Sequence, residues 1–199
     1  MNQKRIREFT LEELQKLNEK IYGVVNGRHF ERWQMLVRLQ RYASQLAGIA
    51  RLHPSVRRPE VSSYALAMAL SWTCAIVNRL GGIKLGVTFA SDRLLDFQAR
   101  CSSGANDGVD SFETATLSLA DHVGRLGEAL EHHQSLHNIR QFDEEVVPRL
   151  HNVLLAICRV ATHANVELAG EMERCFERGC HKCRRTPCSG CGYDHAKMV

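Results

Sequence analysis

Apolar residues recur at three- and four-residue intervals along most of this chain, and that period constrains the fold before any motif is considered. Leu11, Leu14, Leu17 and Ile21 follow Thr10 and Glu13, a pair with the spacing of a capping box, and predict a short first helix. Phe30, Trp33, Leu36, Leu39, Ala43 and Leu46 carry the same period through a second helix, which must stop before Pro54 and Pro59. A third helix is predicted over residues 61–80, closed by Gly81-Gly82, and a fourth reaches about residue 100. The stretch "CSSGANDGVD" at 101–110 reads as a linker, and its Asp110, with Glu113, marks a new helix start. Helices over 111–135, 143–163 and 166–178 complete the pattern. No run alternates apolar and polar residues between turns as a strand does, so the expected class is all-α.

The chain has 199 residues, 44% of them hydrophobic and 24% charged, enough to bury a core as one domain or two small ones. A formal charge of +4 permits an anionic partner without requiring one. The start, "MNQKRIREFTLEEL", lacks an apolar signal region. The longest apolar stretch, "YALAMALSWTCAIV", is short and interrupted by Ser71 and Thr73, which argues against a membrane span and for a cytoplasmic location. In that reducing compartment, clustered cysteines point to metal rather than disulfides.

The two halves resemble each other. Laying "LQRYASQLAGIA" (39–50) over "LADHVGRLGEAL" (119–130) pairs Leu39 with Leu119 and Leu46 with Leu126 at an offset of 80. Laying 66–85 over 150–168 pairs Leu70 with Leu154 and Cys74 with Cys158. A helix pair with one apolar face cannot bury it alone, so a duplicated hairpin predicts a four-helix bundle within one chain. The plainer account is that any two amphipathic helix pairs align this well.

Within the second half, "LSLADHVGRLGEAL" resembles the first metal-binding helix of the MazG-like all-α nucleoside triphosphate pyrophosphohydrolases, and "RLHNVLLAICRVATHANVELAGEMERCFERG" resembles that family's second helix and the turn after it. The resemblance covers residues 111–179, and a degenerate copy covers 30–100. It implies a helical bundle in which paired carboxylates on two helices hold Mg²⁺ against a triphosphate. Mg²⁺ demands oxygen ligands, yet the four matching positions here are His122, Arg125, Arg149 and Asn152. The corresponding first-half positions are Tyr42 and Gln45, with Ala67 to Ala69 on the facing stretch.

Three readings of this altered site stand beside one another. The bundle can be a scaffold in which Arg125 and Arg149 are solvated or paired with Asp121 and Glu128. The cleft can bind a nucleotide or another phosphorylated ligand through His122, Arg125, Arg149 and Asn152, since a guanidinium suits phosphate oxygens directly. Or an enzyme survives with shifted ligands such as Asp121, Glu128 and His151, and only then is Mg²⁺ implied. Arg174 and Arg178 fall near the phosphates in the resemblance, but they also read as a solvated face with Glu171, Glu173 and Glu177.

The tail carries the sharper chemical signal. Cys180-x2-Cys183-x4-Cys188-x2-Cys191 supplies two Cys-x-x-Cys pairs, the donor set of a closed structural zinc site. Gly190 and Gly192 flank the last thiol, as tight knuckle turns require. Cys175, His181 and His195 are substitute ligands, and an iron–sulfur cluster is the alternative occupant. Cys74 and Cys158 read as core residues and Cys101 as part of the linker, while His132, His133 and His137 read as a polar helix end or loop. A closed site leaves no coordination position for chemistry, so the zinc would pin the tail and present Lys182, Arg184 and Arg185 on a rigid knob for a protein partner or, less supported, nucleic acid.

Four regions are therefore expected: an N-terminal helical region (1–100) with a degenerate repeat, a linker (101–110), a MazG-like repeat (111–179) and a zinc knuckle (180–199). The function expected is binding rather than turnover, a pseudoenzyme that takes a nucleotide or a protein partner. An active pyrophosphohydrolase and a zinc-dependent scaffold or nucleic-acid adaptor are the alternatives, and a homo-oligomer is compatible with each.

Overall fold

The protein is described by a computed structural model covering residues 5–80, 93–103, 111–134 and 139–191. Its helices are α1 (Leu11–His29), α2 (Arg32–Ala50), α3 (Pro59–Leu80), α4 (Leu94–Ser103), α5 (Phe112–Gln134), α6 (Ile139–His163) and α7 (Leu168–Phe176). Short 3₁₀ turns at Ile6–Glu8 and Pro54–Val56 join them, and among the described residues there is no strand. Residues 81–82, 104–110 and 192–199 lie outside the described set, and with them the Gly81-Gly82 stop, most of the linker, Gly192 and His195.

Local sequence explains where the helices begin. At α1 the capping box forms: Glu13 N–H donates to Thr10 Oγ1 at 3.2 Å and Thr10 N–H to Glu13 Oε2 at 2.8 Å. Thr10→Ala should cost about 1 kcal/mol, read as a lower denaturant midpoint at unchanged slope. At α5 the cap is Ser111 rather than Asp110: its Oγ accepts from Thr114 N–H at 3.1 Å. α3 starts two residues earlier than the sequence predicts, because Pro59, lacking an N–H, is suited to a helix's first turn.

α1 is not short. Its 19 residues continue past Ile21 because Tyr22 and Val25 extend the buried stripe, and Gly23 and Gly27 do not break it. Trp33 is also not a core residue, being 59% exposed, since Met35 takes the inward position two residues on, about 200° around the helix.

The helices pack as two hairpins. α2 lies against α3 and α5 against α6, while α2 faces α5 and α3 faces α6, which closes a four-helix bundle. Every residue from 37 to 50 has the same buried, half-buried or exposed state as the residue 80 positions later. Leu39, Leu119, Leu46 and Leu126 are all sealed from solvent, as are Leu70, Leu154, Cys74 and Cys158 to within 1%. The preceding helices follow the same plan, α1 packing on α3 and α4 on α6. Their starts meet where Thr10 and Arg93 form an isolated antiparallel bridge, with Leu94 N–H donating to Phe9 O at 3.2 Å.

α3 is the central helix. It is long and apolar enough to cross a membrane by length and composition, but 83% of that window is buried within the bundle. Its polar interruptions are satisfied internally: Asn18 Nδ2 donates to Ser71 O and Oγ, and Thr73 Oγ1 donates to Ala69 O. After α6 the chain turns by 98° into α7, which packs on α3 and delivers the cysteine-rich segment to the outer side of the first hairpin.

Candidate functional site

Gly179 begins the cysteine-rich segment at φ +94°, where a Cβ would lie 2.7 Å from the Arg185 carbonyl oxygen, so only glycine fits. Cys180 N–H then donates to Arg185 O at 3.0 Å and Arg184 N–H to Cys180 O at 2.8 Å, folding Cys180 to Cys183 into a tight knuckle. Gly190, at φ +93°, shapes the second Cys-x-x-Cys turn.

These turns bring the Sγ atoms of Cys180, Cys183, Cys188 and Cys191 within 4.8 Å of one another. Cys180–Cys191, Cys188–Cys191 and Cys183–Cys188 are separated by 3.5, 3.7 and 3.9 Å. A tetrahedron of sulfurs bonded to zinc at about 2.3 Å spaces them by about 3.8 Å, whereas a disulfide needs about 2.05 Å. The four thiols therefore fit a metal ion such as zinc. Burial opposes ionisation of Cys183, but the backbone at Arg185 and the neighbouring thiols hold it down to about 6. Burial and neighbouring thiols push Cys191 up, which is the tension a bound cation would relieve.

Cys175 is buried in the core and stands outside this cluster. His181 also stands apart: Tyr22 Oη accepts from its backbone N–H at 3.2 Å and lies 2.9 Å from its Nδ1. The phenol O–H is thus left to donate to Nδ1, and the ring proton sits on Nε2. Burial, reinforced by Lys182 and Arg184, lowers this imidazole to about 4, so it is neutral near pH 7. The rings of Tyr22, Tyr64 and Phe176 surround it at 5.9–6.3 Å. The knuckle is docked by Cys188 N–H donating to Ile21 O at 2.8 Å.

Between the knuckle and α1–α3 lies a cavity of about 350 Å³. α1 contributes Asn18, Tyr22 and Asn26; α2 contributes Arg38, Arg41, Tyr42 and Gln45; α3 contributes Tyr64, Met68, Ser71, Trp72 and Ala75. Cys180, His181, Lys182 and Cys191 form the remaining wall. Among the described residues, the lining holds three cationic side chains and no carboxylate. Arg41 and Lys182 are exposed and take part in no ion pair among the described residues, while Arg38 stacks over Phe30 at 5.8 Å. The Oδ1 atoms of Asn18 and Asn26 are buried without a hydrogen-bond partner.

The second-half positions fare differently. His122 stands half-buried within electrostatic reach of Arg125, Arg149 and Arg159, and burial, then the arginines, lowers its pKa against the pull of Asp121. Its Nδ1 is buried and unpartnered. Arg125 Nε, however, bonds Asp121 Oδ2 at 2.8 Å on the exposed face of α5, and none of His122, Arg125, Arg149 and Asn152 borders the cavity. Tyr42 and Gln45 do border it, and they occupy the register of His122 and Arg125. One position earlier in the same register, α2 carries Arg41, which lines the cavity, and α5 carries Asp121, which pairs with Arg125.

Comparison with protein-family models, characterised proteins and solved structures finds no match for this chain.

Other sequence-marked residues are accounted for locally. Asp121, Glu128 and His151 do not converge on a metal-binding point, the cysteines being the one such group among the described residues. Arg174 pairs with Glu171 at 2.7 Å, and His132 Nδ1 lies 3.1 Å from Glu145 Oε2. His137 lies outside the described residues. Cys101 is not in a linker but on α4, its thiol against that of Cys158 in α6. Of the knob trio, all three of which are exposed, Lys182 lines the cavity and Arg184 Nη1 donates to Cys175 O at 3.3 Å.

Sequence reasoning missed Asn18, Asn26, Arg38, Arg41 and Trp72 as site residues. The one available signal was the register of Tyr42 and Gln45, which marks the same cleft.

Proposed function

We propose that this chain is a nucleotide-binding protein on a MazG-like helical framework without the family's pyrophosphohydrolase chemistry, its knuckle held by a structural zinc ion. The observation that carries the reading is the cavity whose described lining contains Arg38, Arg41 and Lys182 and no carboxylate. Its volume lies within the roughly 300–1,000 Å³ of small-molecule sites. Guanidinium and ammonium groups supply the charge that Mg²⁺ supplies in a catalytic site, so phosphates can be held without metal. Trp72, Tyr42 and Tyr64 offer flat apolar walls for a base, and the unpartnered Asn18 and Asn26 oxygens would be satisfied by N–H donors. That the described lining provides no carboxylate to hold Mg²⁺ supports binding without hydrolysis.

Calorimetry and melting with a panel of nucleoside mono-, di- and triphosphates, without Mg²⁺, test this. A nucleotide at a hundredfold over its Kd should stabilise by about 2.7 kcal/mol, raising the midpoint by roughly 5–10 °C. Bases with an exocyclic amine should bind more tightly than uracil or thymine, and Arg41→Ala with Lys182→Ala should abolish the shift. No shift with any nucleotide, or Mg²⁺-dependent pyrophosphate release, would refute the proposal.

A further inference from the structure

One wall of the cavity is the metal knuckle itself. His181 and Lys182 occupy the two positions between the thiols of Cys180 and Cys183, and Cys180 and Cys191 border the same space. The knuckle is seated on α1 by Cys188 N–H donating to Ile21 O and by the Tyr22 phenol, which meets both the backbone N–H and Nδ1 of His181. Both anchors are on α1, the helix that carries Asn18, Tyr22 and Asn26 into the cavity. A segment this short has no core of its own, and metal binding is what folds such a knuckle.

From this we infer that metal loading of the four cysteines and anion binding in the cavity are thermodynamically coupled, each tightening the other. The inference rests on the cavity being the ligand site, as proposed above. With metal bound, Lys182 is fixed opposite Arg38 and Arg41, and a phosphate group bridges knuckle and bundle. Without metal, the wall and one of the three cations are lost. Zn²⁺ held by four thiolates adds a formal −2 relative to four neutral thiols, which works against an anion, so the coupling is the amount by which placing Lys182 and the wall outweighs that repulsion. Linkage requires reciprocity, so a ligand that binds more tightly to the zinc-loaded protein must raise the zinc affinity by the same factor.

Two measurements on the full chain use ATP without Mg²⁺ as the probe. ATP should bind at least tenfold more weakly to zinc-stripped than to zinc-loaded protein, circular dichroism confirming that the bundle persists. The zinc affinity, measured by equilibrium competition with a chromophoric chelator, should rise at least tenfold at saturating ATP, and Lys182→Ala should remove that rise. If stripping unfolds the bundle, the zinc-affinity measurement alone decides. Equal ATP affinity with and without zinc, or a zinc affinity indifferent to ATP despite binding, overturns the coupling and leaves the proposed function standing. Absence of ATP binding to either form overturns both.

Discussion

Stripping zinc from the loaded protein is expected to lower its melting midpoint by roughly 8–16 °C. Zinc at a thousandfold over its Kd contributes about 4.1 kcal/mol, and each kcal/mol moves a domain of this size by roughly 2–4 °C. The effect should reach the bundle because Cys180 and Cys188 belong to its continuous apolar core and Cys188 is hydrogen-bonded to α1. Cys183→Ser combined with Cys188→Ser should bind no zinc and melt where the stripped protein does. Two variants that differ by 5 °C or more, or a double mutant that retains one zinc per chain by elemental analysis, would show that these thiols are not the site.

Leu39→Ala and Leu119→Ala should each cost about 2–5 kcal/mol, measured by denaturant unfolding. The two leucines are fully buried on the facing helices α2 and α5, at equivalent positions of the two hairpins. Truncating either leaves a cavity that a rigid helix pair cannot close. Trp33→Ala, on the outer face of α2, should fall within about 0.5 kcal/mol of the parent despite removing a far larger side chain. A Trp33 cost equal to that of Leu39 would mean that this tryptophan is covered by something other than solvent.

The class of fold is written in the spacing of apolar residues, and helix ends follow from Thr10, Pro59 and the prolines after α2, each of which acts on its own neighbours. The thiol cluster is equally local, since two Cys-x-x-Cys pairs separated by four residues can close on one point with little help from the rest of the chain. The cavity is different. Tyr22 and His181 stand 159 residues apart in the chain and meet at 2.9 Å, and neither belongs to a motif. Convergence of this kind depends on the direction in which α7 leaves α6, which no short pattern encodes. Trp33 misleads for a related reason: its hydrophobicity fits the period, but the buried stripe runs through Met35, Leu39, Ala43 and Leu46, and Trp33 lies about 200° from Met35 on the outer face. Cys101 reads as linker because its downstream neighbours are Ser, Gly and Asn, whereas α4 extends to Ser103 and places the thiol against Cys158.

Residues 37–50 and 117–130 share their pattern of burial although only Leu39/Leu119 and Leu46/Leu126 are identical between them, and this has a wider consequence. When two identical subunits pair about a two-fold axis, any substitution appears in both clefts, and neither can change alone. Two hairpins joined in one chain are released from that constraint. The same buried surface can be kept on both sides, as the matched burial of 37–50 and 117–130 shows, while charge is redistributed on one side only. One half thereby carries a cavity bordered by Arg38, Arg41 and Lys182, while the other keeps Arg125 paired with Asp121 on an exposed face.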